Sequence, residues 1–299
     1  MNASVKLIEL VLPATVSLKA VVPEEHVSAR MLGTERFGSG VVVDPAGLIL
    51  TVNYVVMGAR GVEVTLLDNT TVEASVVAQD YASGIAVLDM GVPRLAALQP
   101  GSSADLRLGQ DVFIAAATGG NQRRASDGAV TWLGPYDASW EYSLERAIKT
   151  TAMNPGLGGA PLLDTLGRVV GVVSLDLGEV GHFSLAIPVE QYSGHRDELL
   201  RCGRRVSRPS RAWIGLYCYT VRDHVVIAGL LPGAPGEAAG LRSGDVVLAV
   251  DDRDVSGRHD LYAYLWSQAP GAVIRFRVFR NSAVQQVAVP SGNAEDFFA

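Results

Sequence analysis

Residues 38–56 read GSGVVVDPAGLILTVNYVV. Two short apolar runs, 40–43 and 48–52, flank Asp44-Pro45-Ala46-Gly47. Proline presets φ and glycine supplies positive φ, so the stretch reads strand, turn, strand. The same grammar continues outward. Runs at 62–67 and 71–78 flank Asp68-Asn69, and further runs follow at 85–90, 111–116, 130–133, 144–151, 161–163, 169–175 and 183–188. Short β-rich runs broken by Gly, Pro, Asn and Asp predict an all-β barrel or sandwich. A parallel sheet would need long crossover helices, which the pattern lacks. Upstream, Val5, Ile8 and Leu12 fall at helical spacing ahead of Pro13 and predict a helix over 4–12, with a strand over 14–22.

The character changes after residue 188. PVEQYSGHRDELLRCG (188–203) predicts a helix with Leu199 and Leu200 near its end and Gly203 as its stop. RRVSRPSR follows, polar, basic and proline-containing, as a linker is. It carries Arg201, Arg204, Arg205, Arg208 and Arg211 nearby and reads as a solvated hinge. Residues 212–290 predict a small α+β unit: strands at 213–219 and 224–230, a short helix at 235–239, a hairpin, a helix at 260–266 and a final strand pair at 272–280 and 283–290. The expected organisation is a barrel domain over 1–200, a linker over 201–211, an α+β domain over 212–292 and a tail over 293–299.

With 299 residues, 48% hydrophobic and 19% charged, the chain is long enough for two cores. A net charge of −6 argues against nucleic acid as a partner. The two cysteines, Cys202 and Cys218, form neither a disulfide framework nor a C-x-x-C site and read as free thiols. His26, His182, His195, His224 and His259 lack metal-ligand spacing, so no metal and no cofactor is expected. Lys6, Glu9, Pro13 and Lys19 interrupt the N-terminal apolar residues, which argues against a signal peptide. No run approaches the roughly 18 apolar residues of a membrane span. A cytoplasmic location is expected.

Several of these segments resemble the HtrA/Deg family of trypsin-like proteases. Residues 38–56 are similar to its G-S-G strand, turn and T-x-x-H-V-V. Residues 62–90 resemble its paired strands and D-I-A-L-L segment. NPGLGGAPLLDTLGRVVGVVSL (154–175) resembles N-P-G-N-S-G-G-P-L and the following hairpin, and GHFSLAIPVE (181–190) resembles its G-F-A-I-P strand. AWIGLY (212–217), residues 229–255 and DLYAYL (260–265) resemble the PDZ domain that follows. The resemblance implies a trypsin-like double β-barrel followed by a small α+β PDZ-like domain.

It also implies where the catalytic triad would lie: Tyr54 for histidine, Gly84 for aspartate and Gly158 for serine. Glycine offers no nucleophile, and a phenol with a pKa near 10 leaves roughly one phenolate in a thousand at pH 7. Loss of the triad nucleophile costs subtilisin about a millionfold in kcat. Leu157 and Ala160 replace polar and glycine positions of the anion-binding loop, and Thr150 replaces an aspartate. On this reading the chain is not an enzyme but a pseudoprotease, serving as a protein-binding scaffold or a regulatory or structural subunit. The alternative is a serine endopeptidase with a displaced nucleophile such as Ser39 or Ser83, or with His182 recruited. The remaining binding chemistry is implied at the PDZ loop, Trp213, Ile214, Gly215 and Leu216, with Leu261 and Leu265 as the opposite wall of a peptide groove. Tyr217, Tyr219, Tyr262, Tyr264 and Trp266 concentrate aromatics there. Arg123 and Arg124 fall in the family's adaptable loop. A protein or peptide partner is expected, and assembly with further copies is left open.

Overall fold

The computed structural model describes residues 3–93, 95–177 and 182–298. Gly181, which opens the segment 181–190, and Ala299, which ends the tail, lie outside the described residues. After a helix, α1 (Ala3–Val11), six strands close a barrel: β1 (Thr15–Val21), β2 (Glu35–Asp44), β3 (Leu48–Val52), β4 (Gly61–Thr65), β5 (Thr71–Asp80) and β6 (Ile85–Asp89). Their order is β1-β2-β3-β6-β5-β4. A second closed barrel, in the order β10-β11-β12-β9-β8-β7, uses β7 (Asp111–Gly119), β8 (Gln122–Asp137), β9 (Ser143–Thr150), β10 (Pro161–Asp164), β11 (Val169–Asp176) and β12 (Ser184–Pro188). This is the double barrel that the resemblance implies.

Side-chain alternation explains the closure. Val16, Leu18 and Ala20 of β1 and Val62 and Val64 of β4 are buried, while Val21 and Glu63 are exposed; Thr15 and Ser17, which alternate with the buried apolar residues of β1, are covered as well. β3 is buried throughout, as a strand covered on both faces must be. In the second barrel Val112, Ile114, Ile148, Leu162 and Val173 share one core. Arg123 is not a loose loop cation: its guanidinium donates to the Thr15 carbonyl at 2.7 Å and the Thr65 carbonyl at 2.7 Å, pinning the β7–β8 hairpin to the first barrel's strands.

The expected single helix over 188–203 is two short ones, α2 (Glu190–Ser193) and α3 (Arg196–Cys202). Gly203 ends the second at φ 70°, its N–H reaching the Leu199 carbonyl.

The C-terminal sheet has the order β13-β14-β15-β17-β18, from β13 (Leu216–Val221), β14 (His224–Leu230), β15 (Val246–Val250), β17 (Val273–Arg280) and β18 (Ala283–Pro290), with β16 (Arg253–Asp254) paired to β15. Helix α4 (Arg258–Trp266) covers it, and α5 (Ala294–Phe297) closes the chain. Ile274, Phe276 and Val278 enter the core while Arg275 and Arg277 stay outside, a period of two.

The chain divides into two compact units, but not at one boundary. Tyr136–Ser143, which takes in the last two residues of β8, the connection and the first residue of β9, belongs to the second unit together with residues from Ser207 onward; the first holds Met1–Pro135 and Leu144–Val206. The expected contiguous boundary is therefore corrected. So is the tail: Trp213 packs against Phe297 (centroids 4.8 Å apart) and Phe298 (5.8 Å).

Candidate functional site

The first candidate site lies in the double barrel, where the structure brings the three projected positions together. The Asn53 N–H donates to the Gly84 carbonyl at 2.8 Å, and Tyr54 stands over Gly158. The Tyr54 hydroxyl donates to the Ser174 carbonyl at 2.9 Å, and burial pushes its pKa up to about 12. It is therefore a neutral hydrogen-bond donor at any ordinary pH. A Cβ built on Gly158 would meet that hydroxyl oxygen closer than real Cβ contacts occur. The tyrosine side chain thus fills the space a side chain at 158 would occupy.

The loop around Gly158 is cross-braced. Ser39 N–H donates to the Gly158 carbonyl at 2.7 Å, and the Ser39 hydroxyl accepts from Ala117 N–H at 2.9 Å. Leu157 N–H goes to the Ala117 carbonyl, and Gly159 N–H, at φ 94°, goes to the Val173 carbonyl. Ala160 is fully buried and does not occupy positive φ, so the replacement of a glycine there costs no backbone strain. Thr150 is not a lost support. Its hydroxyl accepts from Ala152 N–H and donates to the Ala129 carbonyl, each at 3.0 Å, bracing the turn after β9.

Ser39 and Ser83, the displaced-nucleophile candidates, are 0% and 1% exposed. The Ser83 hydroxyl donates to Asp80 at 2.7 Å. His182 is exposed at the edge of the described residues. Among the described residues no cluster of His, Cys, Asp or Glu is arranged to hold a metal.

The second candidate site lies in the C-terminal unit. Ile214, Gly215 and Leu216 point their backbone N–H groups at one spot. Gly215 makes this turn possible: its φ is 79°, and a Cβ there would strike Ala234. The spot is occupied by the Glu141 carboxylate. Gly215 N donates to its Oε1 at 2.6 Å, Leu216 N to Oε1 at 3.1 Å, and Ile214 N to both oxygens at 3.1 Å. Glu141 is half-buried as a residue, and its carboxylate end is the enclosed part; burial pushes its pKa up to about 7 against the pull of these three amides and Arg211.

The rest of the groove is filled by the same segment. Ser139 O accepts from Cys218 N at 2.7 Å, and Trp140 pairs antiparallel with Tyr217 on β13. From α4, the Tyr262 hydroxyl donates to the Ala138 carbonyl at 3.0 Å and Arg258 to the Asp137 carbonyl at 3.0 Å. Of the residues read from the sequence, Ile214, Gly215 and Leu216 act through their amides. Trp213 faces α5 instead. Leu261 and Leu265 are fully buried in the core cluster of the domain, which also holds Tyr262. Sequence reasoning counted Tyr262 only among the aromatics and missed Glu141, whose segment carries no periodic signal.

Two family models match: a trypsin-like peptidase domain over residues 38–172 and a PDZ domain over 212–290. A protein of Halomonas elongata, a probable periplasmic serine endoprotease DegP-like, is 30% identical over 87% of this chain and 57% of its own length. The chloroplastic Protease Do-like 1 of Arabidopsis thaliana is 32% identical over 84% of this chain and 62% of its own. The chain thus spans roughly three fifths of these relatives. Among solved structures, an HtrA-type protease AlgW with tripeptide superposes with a TM-score of 0.59 at 23% identity, covering 98% of this chain and 97% of that one. The expectation that this chain is no enzyme is corrected by these relatives, which are named as proteases.

Proposed function

Because the chain belongs to the HtrA/Deg family of trypsin-like serine proteases with a PDZ domain, we propose that it handles extended protein segments, holding a peptide by its C-terminal carboxylate at the Ile214, Gly215 and Leu216 amides. The observation that carries this reading is the convergence of these three N–H groups on one carboxylate beside a strand edge, β13, that accepts an added strand. Backbone pairing supplies affinity along the strand, and the amide cluster selects a carboxylate at its end. The test changes the peptide and leaves the protein alone, because Ile214 is core and its substitution would test folding. A pool of decapeptides with free C-termini is titrated into the whole chain, beside the same pool amidated. Free C-termini bind, and amidation weakens binding at least tenfold. Equal binding by both pools overturns the reading.

Endopeptidase action is the second reading, favoured by the names of the relatives. It needs a nucleophile that position 158 does not supply, and Ser39 and Ser83 are enclosed. Incubation with denatured casein and labelling by a fluorophosphonate, mapped by mass spectrometry, test it. Cleavage together with one labelled serine identifies that nucleophile. Intact casein and an unlabelled chain withdraw the reading.

A further inference from the structure

We propose that the peptide groove is occupied in cis: residues 138–141 are a built-in ligand, with the Glu141 side chain in the place of a peptide's terminal carboxylate, and an incoming C-terminus must displace them. This rests on the peptide-binding reading above and adds its regulation.

The register shows that the segment is docked as a ligand. Trp140 pairs with Tyr217, and Ser139 O meets Cys218 N, so the segment runs antiparallel along β13 with Glu141 opposite Leu216. That is β-strand addition, the way an extended peptide joins an exposed sheet edge. At the end of the added strand the carboxylate accepts three backbone N–H bonds, the shortest at 2.6 Å. On the other wall, α4 contributes the Tyr262 donor to the Ala138 carbonyl and the Arg258 donor to the Asp137 carbonyl just ahead of the segment. Amide cluster, strand edge and helix wall are thus all engaged by one stretch of the chain. The turn is closed on itself by the Ala138 N–H to the Tyr142 carbonyl at 2.8 Å.

A cis ligand and a trans ligand exclude one another, because three N–H groups cannot serve two carboxylates and β13 has one free edge. The apparent dissociation constant of a peptide is then its intrinsic value divided by the fraction of molecules whose segment is undocked. A segment docked in about nine molecules of ten weakens a competitor about tenfold. The partner that fits is an extended peptide with a free α-carboxylate.

The probe is the peptide PYDASW, residues 135–140 of the chain, with fluorescein at its N-terminus and a free C-terminus. By the register it presents an α-carboxylate where the Glu141 side chain now sits. Two full-length variants are compared with the parent by anisotropy. Glu141→Ala empties the amide cluster. Trp140→Cys/Tyr217→Cys, made with Cys202→Ser, places thiols on facing residues of the antiparallel pair; oxidation locks the segment down and reduction frees it. Glu141→Ala binds the probe at least tenfold tighter than the parent. The cross-linked protein binds it only after reduction, a comparison within one folded sample. Equal affinity in parent and Glu141→Ala, with no effect of the cross-link, overturns cis occupancy while peptide binding stands. No binding by any form of the protein withdraws the peptide reading and this proposal with it.

Discussion

Tyr54 and Gly158 form a complementary pair, one side chain filling the space left by the absence of the other. A serine at 158 would meet the Tyr54 hydroxyl at once, and the ring is held by its bond to the Ser174 carbonyl. Overpacking of this kind costs about 1–3 kcal/mol. Gly158→Ser is therefore expected to lower the urea midpoint in the parent, and to be tolerated far better beside Tyr54→Ala. A double-mutant cycle by urea unfolding measures the coupling, expected at about 0.5–3 kcal/mol. Additive effects would mean the two positions do not compete for the space.

Glu141 makes the second residue-scale prediction. Burial raises its pKa from 4.5 to about 7 in the docked state. Between those values the docked form binds more protons than the released one, so docking is at full strength below about 4.5 and weakens as pH rises through 7. The groups that act on it are the Ile214, Gly215 and Leu216 amides and Arg211, which hold the pKa down, with the neighbouring Cys218 thiol and Tyr262 phenol both pushed up by burial and so neutral. Asp137 on the same segment and Arg258 on α4 act on that thiol in opposite directions. Peptide affinity of the parent is expected to climb from pH 5 to pH 7 and level off above. Anisotropy titrations should show a flat profile for Glu141→Gln, and a parent profile equally flat removes the titration from the mechanism.

At the scale of elements, the C-terminal helix α5 carries more than its length suggests. Asn293 caps it, its side chain accepting from the Glu295 N–H at 3.1 Å, and Phe297 and Phe298 cover the Trp213 ring. Trp213 is 7% exposed and sits beside the amide cluster. Deleting 293–299 is expected to lower the melting temperature of the C-terminal unit and shift tryptophan emission to the red, with the barrel transition unchanged. An unaltered spectrum would show that the helix is dispensable. The strands were legible in the sequence because alternation and turn residues report local geometry: 38–56 reads as β2, turn and β3 without knowledge of anything distant. α5 was not legible, since NAEDFF is too short for a periodic signal and its reason to be helical is Trp213, far away in sequence. The polar contact of the helix wall was missed for a related cause. Leu261, Tyr262 and Leu265 of α4 share one buried cluster, and it is Tyr262 whose hydroxyl makes the polar contact to the segment in the groove. Glu141 was beyond any local reading, because DASWEYS owes its conformation to partners more than seventy residues on.

For the molecule as a whole, a unit assembled from two separate stretches of chain has a thermodynamic consequence. Tyr136–Ser143 belongs to the C-terminal unit, yet β8 and β9 of the barrel supply both of its ends. The unit is then stabilised by a strand it does not itself encode contiguously, and removing that strand takes away three amide–carboxylate bonds, the pairing to β13 and two donors from α4. Bonds to charged groups contribute about 1.5–3 kcal/mol each, and exposing the amides to water returns part of that. Replacing residues 137–142 by a Gly/Ser run of equal length is expected to lower the unfolding temperature of the C-terminal unit while leaving the barrel unit's transition in place, so that calorimetry resolves two steps farther apart than in the parent. Added free-carboxylate peptide should restore part of the lost stability by occupying the vacated groove, with a concentration dependence that reads out its affinity. If the replacement moves both transitions equally, the segment serves the barrel as much as the groove, and its removal cannot be used to open the site.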